Sequence, residues 1–188
     1  MKLSKKSEYA LRALIDLGLA QKLGRPMLRI SEIVENEKLP AKFLEQILVQ
    51  LKGAGYLDSK RGKNGGYFVR KPLEEIIIGD VIRLIDGPLA PIRCVSRMAY
   101  QPCTCPDENH CGLRILMEDV REAITGILDR HSLADVVNVT LRKIRRDRLP
   151  VPFLITKIDK RAAVEPLAGL ARGRTAPVSK VADRYSKS

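Results

Sequence analysis

Four cysteines crowd into eighteen residues: Cys94, Cys103, Cys105 and Cys111. Thiolates are the usual ligands of iron–sulfur clusters and of structural zinc, and a thiol pair can also oxidise to a disulfide. Pro102, Pro106 and Gly112 help the backbone turn around an ion. The paired C-x-x-C knuckles that zinc prefers are absent, and spacing alone does not choose between iron and zinc. A thiol–disulfide switch is a third chemistry open to the same residues. His110 adjoins Cys111 and could ligate, although an exposed histidine needs no metal. A second group of residues suits a polyanion. Lys60, Arg61, Lys63, Arg70 and Lys71 surround a glycine-bearing turn, with no acid between 60 and 71.

The elements that must position these residues are legible as patterns. Residues 4–23 read as an amphipathic helix, with Ser4 as N-cap and Leu11, Leu14, Ile15 and Leu19 as its stripe beside Gly18. Ser31 is expected to cap a short helix over 32–37, with Ile33 and Val34 inward. Leu39-Pro40 marks a turn, and Pro40 suits the first turn of a third helix reaching Gly53. Phe43, Leu44, Ile47, Leu48 and Leu51 form the buried side of that helix. Strands over 56–59 and 67–69 flank Lys63-Asn64-Gly65-Gly66, a hairpin turn because Asn-Gly tolerates positive φ. A helix follows over 78–85, then an irregular loop over 88–110 that carries the cysteines. From 112 to 130 a long helix places Leu113, Leu116, Val120, Ile124 and Ile127 on a heptad-like seam. Ser132 caps a last helix through about Arg145.

This order predicts a mainly α fold with a small β-wing, a winged helix-turn-helix followed by a long dimerisation helix. The expected divisions are a DNA-binding domain over 1–72, a linking helix and cysteine-bearing loop over 73–111, dimerisation helices over 112–150, and a basic, disordered tail over 151–188. In the third helix, Lys42, Glu45 and Gln46 are the candidate readers of base edges: Glu accepts from cytosine, Gln pairs with adenine, and Lys donates to guanine or phosphate. Lys60, Arg61 and Lys63 of the wing are the candidate minor-groove and phosphate contacts.

The 188 residues carry a formal charge of +12, which favours a nucleic-acid partner. The segment 157–188 contributes +5 of it, so the body is basic in its own right. Charges interrupt every apolar stretch before it reaches a membrane span, and Glu8 and Arg12 spoil the N-terminus as a signal peptide. The expected compartment is the cytoplasm, where clustered cysteines read as a metal or redox site. There is no phosphate-binding glycine loop, no paired-carboxylate motif and no nucleophile beside a base. Catalysis is therefore not expected, and a small iron–sulfur or thiol enzyme or electron carrier is the rival class.

Several motifs together resemble the IscR/NsrR-type winged helix-turn-helix regulators of bacteria. They are Tyr9-Ala10-Leu11-Arg12-Ala13-Leu14, Phe43-Leu44-Glu45-Gln46-Ile47-Leu48, Arg61-Gly62 with Gly65-Gly66-Tyr67, and Gly79-Asp80-Val81-Ile82-Arg83 leading through Asp86-Gly87 to Cys94. The match covers about residues 1–145. The resemblance implies a homodimer held by the long helix, a palindromic operator on double-stranded DNA, and a 2Fe–2S or 4Fe–4S cluster on Cys94, Cys105 and Cys111. Zinc, or no metal, is the alternative. The histidine that the iron–sulfur-assembly regulators carry three residues after the last cysteine is Arg114 here. The resemblance leaves Cys103, or Glu8 donated by the partner subunit, as fourth ligand. Glu8 has a simpler role as well, favouring a helix N-terminus and pairing with Arg12 one turn on.

Overall fold

The computed structural model describes residues 3–62, 65–150 and 153. The Lys63-Asn64 pair of the expected turn, the candidate Lys63 among them, and the expected tail 151–188 apart from Phe153 lie outside the described residues.

Helix α1 (Lys5–Lys22) starts where the sequence places it, because the Ser4 hydroxyl accepts from the Ser7 N–H at 3.1 Å. It packs against four other helices and the wing, so more than one face is covered. Ala10, Ala13, Leu14 and Leu17 are fully buried, while Leu11 and Ile15 of the expected stripe are only partly so. Gly18 admits the last helix of the fold: a Cβ there would stand 2.8 Å from a Val137 methyl.

The start of α2 (Ile30–Glu37) corrects the expectation that Ser31 is its cap. The cap residue is Arg29, whose N–H donates to the Glu32 carboxylate at 2.8 Å. The acid three residues on thus satisfies the open donor, and no cap hydroxyl is required. Lys38, in the left-handed region at φ 53°, turns the chain into Leu39-Pro40 and α3 (Ala41–Gly53). Leu44, Ile47, Leu48 and Leu51 are fully buried, and Phe43 meets the Tyr9 ring edge-on at 5.8 Å.

Strands β1 (Leu57–Lys60) and β2 (Gly66–Val69) pair antiparallel, with Leu57 opposite Val69 and Lys60 opposite Gly66. A third piece of extended chain was not expected. Leu28 bridges Tyr67 through two backbone hydrogen bonds, 3.0 and 2.8 Å. Gly66 permits that approach, since a Cβ there would collide with the Leu28 carbonyl.

A 3-10 turn over Leu73–Glu75 leads to α4 (Ile78–Asp86). Gly87, at φ 85°, ends α4 and opens the cysteine loop, which is not wholly irregular: Arg93–Val95 forms a 3-10 turn. Helix α5 (Gly112–Leu128) stops two residues short of expectation, and none of its residues is buried. Helix α6 (Leu133–Arg146) has the expected Ser132 cap, closed reciprocally by Asp135. It packs on α1 and on the 73–75 turn. The two C-terminal helices therefore differ: α6 completes the core through Leu133, Ala134 and Val137, and no described residue of α5 is fully buried.

Candidate functional site

On α3, Lys42, Glu45 and Gln46 are exposed on the side opposite the buried leucines, and Val49 extends that strip at 58% exposure. Their neighbour Gln50 is used internally, donating to the Leu84 carbonyl of α4 at 3.1 Å. Two groups of interactions fix how α3 is presented. The first grips the end of α2: Arg12 pairs with the Glu37 carboxylate and donates to the Glu37 carbonyl at 2.6 Å, satisfying an open helix-end acceptor. Beside it, Asn36 donates to both side-chain oxygens of the buried Asp16 at 3.1 Å. The second joins α3 to the wing, where Lys52 pairs with Asp58 at 3.0 Å and bonds the Ser59 hydroxyl at 2.7 Å. Lys60 and Arg61 are exposed at the end of the wing. Lys71 lies over the Tyr56 ring at 4.8 Å, so its charge sits at the wing base. The sequence reading did not name Arg12, Asp16, Asn36 or Lys52 in these positioning roles. Only the resemblance motif around Tyr9 pointed near them, because the partners are distant in sequence.

The cysteine loop gathers its thiols on one side. Cys94, on the 3-10 turn, is buried, Cys103 and Cys111 are half-buried, and Cys105 is exposed. The sulfurs of Cys94 and Cys103 and a carboxylate oxygen of Glu108 all lie within 4.8 Å of one another. Cys105 interacts with both Cys103 and Cys111, and those neighbours push its thiol up to about 11. Burial first, then the nearby Cys103 sulfur, push the Cys94 thiol up as well. Crowded sulfurs resist becoming anions together, and a bound cation removes that resistance. The donor set thus fits a thiophilic metal group. Cys103, which the resemblance leaves as one of two candidates for the fourth ligand, lies close to both Cys94 and Cys105 in this arrangement. Glu8 lies elsewhere in the same chain, bonded to Lys5 at 2.8 Å and 3.6 Å from Arg12. His110 is 85% exposed and bonds Asp107 at 2.6 Å. Arg114, at the resemblance's histidine position, pairs with Glu108 and Glu118.

The loop is fastened to α5. Arg121 donates to the Val95 carbonyl, and Arg97 pairs with Glu122 at 2.7 Å. At the far end of α5, Arg83 of α4 bonds Asp129 at 2.7 Å. Asp129 is seated against Gly79, where any Cβ would collide with its carboxylate. Among the described residues, no helix is long and apolar enough to cross a membrane.

Residues 3–139 match the model of Rrf2, described as an iron-dependent transcriptional regulator. An rrf2-like HTH-type transcriptional regulator of Rhodobacter capsulatus is 39% identical over 137 residues, covering 72% of this chain and 91% of the relative. The IscR regulator of Photorhabdus laumondii is 31% identical over 138 residues, covering 73% and 80%. Among solved structures, CymR (YrzC), the global cysteine regulator of B. subtilis, superposes with a TM-score of 0.62 at 27% identity, covering 74% of this chain and 98% of its own. T. potens IscR gives 0.57 at 26% identity, covering 80% and 93%. A family match over most of the chain, relatives that are regulators rather than enzymes, and a helical fold with α3 packed on a two-stranded wing lead to one conclusion: this chain belongs to the Rrf2 family of winged-helix, DNA-binding transcriptional regulators.

Proposed function

We propose that the protein is a cytoplasmic homodimeric repressor that senses redox, nitric oxide or iron status through an iron–sulfur cluster, 2Fe–2S or 4Fe–4S. The observation that carries this reading is the gathering of four thiols on a loop fastened to α5. Cys94, Cys105 and Cys111 would hold the group, with Cys103 favoured over the partner subunit's Glu8 as fourth ligand because it already touches Cys94 and Cys105. Bound there, the group supplies a redox- and gas-sensitive centre whose loss frees the thiols.

The chain's own residues supply the transmission. Arg121, Arg97 and Arg114 tie the loop to α5, so the order of the loop bears on the position of that helix. The exposed seam of α5 supports a dimer, since an uncovered apolar face of this kind marks an association surface. Two α3 helices in a dimer must sit about one DNA turn apart, about 34 Å, to read a palindromic operator. Changing the setting of α5 changes that separation and shifts the population that fits DNA.

Anaerobic purification with iron and sulfide analysis tests the reading. The expected protein is coloured, contains labile sulfide, and changes operator affinity by about tenfold or more at fixed salt when the iron is chelated. Reconstituted protein without sulfide, or unchanged operator affinity after chelation, rejects it. A zinc site or thiol–disulfide switch on the same fold is favoured by one observation, the contact of Cys105 with Cys103 and Cys111. Metal analysis and thiol counting separate it from the cluster.

For DNA, our reading assigns Lys42, Glu45 and Gln46 to base edges, and Lys60, Arg61 and Lys63 to the minor groove and phosphates. Gln46→Ala should cost about tenfold in affinity and relax preference at one base pair, as loss of a bidentate contact does. Arg61→Ala should weaken all sequences alike and lower the salt slope by about one. Gel shifts across a salt series check both, and unchanged binding refutes the assignment.

A further inference from the structure

Glu108 is a donor that sequence spacing does not nominate. One of its carboxylate oxygens lies within 4.8 Å of the Cys94 and Cys103 sulfurs, which are equally close to each other. The side chain is only 24% exposed and is held in place. Both of its oxygens accept from the Tyr100 hydroxyl, at 2.7 and 2.9 Å, and Arg114 stands 3.5 Å away on α5. A hydrogen bond that fixes a carboxylate beside soft donors is the arrangement found around metal ligands. The loop therefore brings together five donors, Cys94, Cys103, Cys105, Cys111 and Glu108, whereas an iron–sulfur cluster ordinarily takes four protein ligands.

We propose that Glu108 is a reserve oxygen ligand that shares one iron position with Cys103, beside Cys94, and that Tyr100 orients it for this exchange. The inference rests on the cluster reading above. Its physical sense is ligand hardness. A thiolate holds cluster iron more tightly than a carboxylate, but a carboxylate does not oxidise. When a peroxide oxidises the Cys103 thiolate, the sulfur takes one peroxide oxygen to become a sulfenate and the O–O bond breaks with release of water or an alcohol. Glu108 would then be the ligand already in place for the iron that Cys103 gives up. Arg114 fits this role, since its charge offsets the carboxylate while the thiolate occupies the position.

A double-mutant cycle on the full, anaerobically reconstituted protein tests the exchange, with sulfide content, absorption, electron paramagnetic resonance of the reduced form and resistance to a chelator as readouts. Glu108→Gln, challenged with hydrogen peroxide, is expected to lose iron to the chelator several-fold faster than wild type under the same challenge. Cys103→Ala is expected to retain iron and sulfide with a spectrum shifted towards oxygen ligation. The double variant should lose iron to the chelator about tenfold faster than Cys103→Ala alone. Adding Tyr100→Phe to Cys103→Ala should give an intermediate rate. Equal rates for Cys103→Ala and the double variant overturn the proposal, as does Cys103→Ala that holds no cluster. Wild-type protein that takes up no sulfide defeats the cluster reading itself, a separate outcome. Thermal melts of each variant, scored by circular dichroism, distinguish loss of iron from loss of fold.

Discussion

If the protein pairs through α5 as proposed, Leu116→Glu on that helix should leave it a monomer and lower operator affinity by about a hundredfold or more. Leu113, Leu116 and Ile127 are 56%, 48% and 52% exposed, and Val120 and Ile124 are half-covered between them. The helix turns Arg121, Thr125 and Leu128 towards its own chain, and among the described residues nothing buries this seam. A charge at its centre would have to be desolvated against a second copy, while in the monomer it faces water at no cost. The fold of the reader should survive, because no α5 residue belongs to the buried core. Losing the dimer removes the second half-site contact, which is worth about 10²–10⁴ in avidity. Sedimentation and gel shifts on the same sample check the two effects together. A dimer that persists with full operator affinity places the association surface elsewhere.

Asp16→Asn should stabilise the protein, and more so as pH rises. Asp16 is 2% exposed. Burial, then the nearby Glu37 carboxylate, push its carboxyl up to about 8 from an ordinary 3.8, against the smaller pull of Asn36 and Arg12. The folded protein thus keeps a proton that the unfolded chain releases near pH 4. The contribution is fully present below about pH 4, is lost as pH rises towards 8, and is flat above that. An asparagine has the shape of the protonated acid: its oxygen accepts from Asn36 and its NH2 can donate to Glu37. It removes the pH-dependent loss, so the variant should melt about 5 °C or more above wild type at pH 8, with the gap closing towards pH 5. Melting curves across that range decide it. A gap independent of pH would mean that Asp16 carries no retained proton.

The reader body was largely legible in the sequence. Ser4 and Ser132 could be placed because a cap hydroxyl followed by an apolar period is a local signal. Ser31 misled because Glu32 reaches back to the Arg29 N–H, and a capping acid leaves a serine beside it idle. The Leu28 bridge has no period to detect, since one residue pair makes it. The stripe on α1 missed Ala10, Ala13 and Leu17 because a helix enclosed on several faces has no single stripe. At the thiol site, the resemblance gave Cys103 only as one of two candidates for the fourth ligand. Its place beside Cys94 follows from how the loop folds back, which spacing does not encode. Glu108 was invisible for the same reason, being one acid among several in a polar loop.

The seat of Asp129 against Gly79 gives α5 a pivot at one end and leaves the other end beside Cys111. Seventeen residues of helix span about 25 Å, so a tilt of about 5° at the pivot sweeps the thiol end through about 2 Å. Conversely, a displacement of hydrogen-bond size in the loop arrives at α4 as a rotation rather than a shift. Any side chain larger than hydrogen at position 79 would move that fulcrum, and with it, in the proposed dimer, the angle between the two copies of α3.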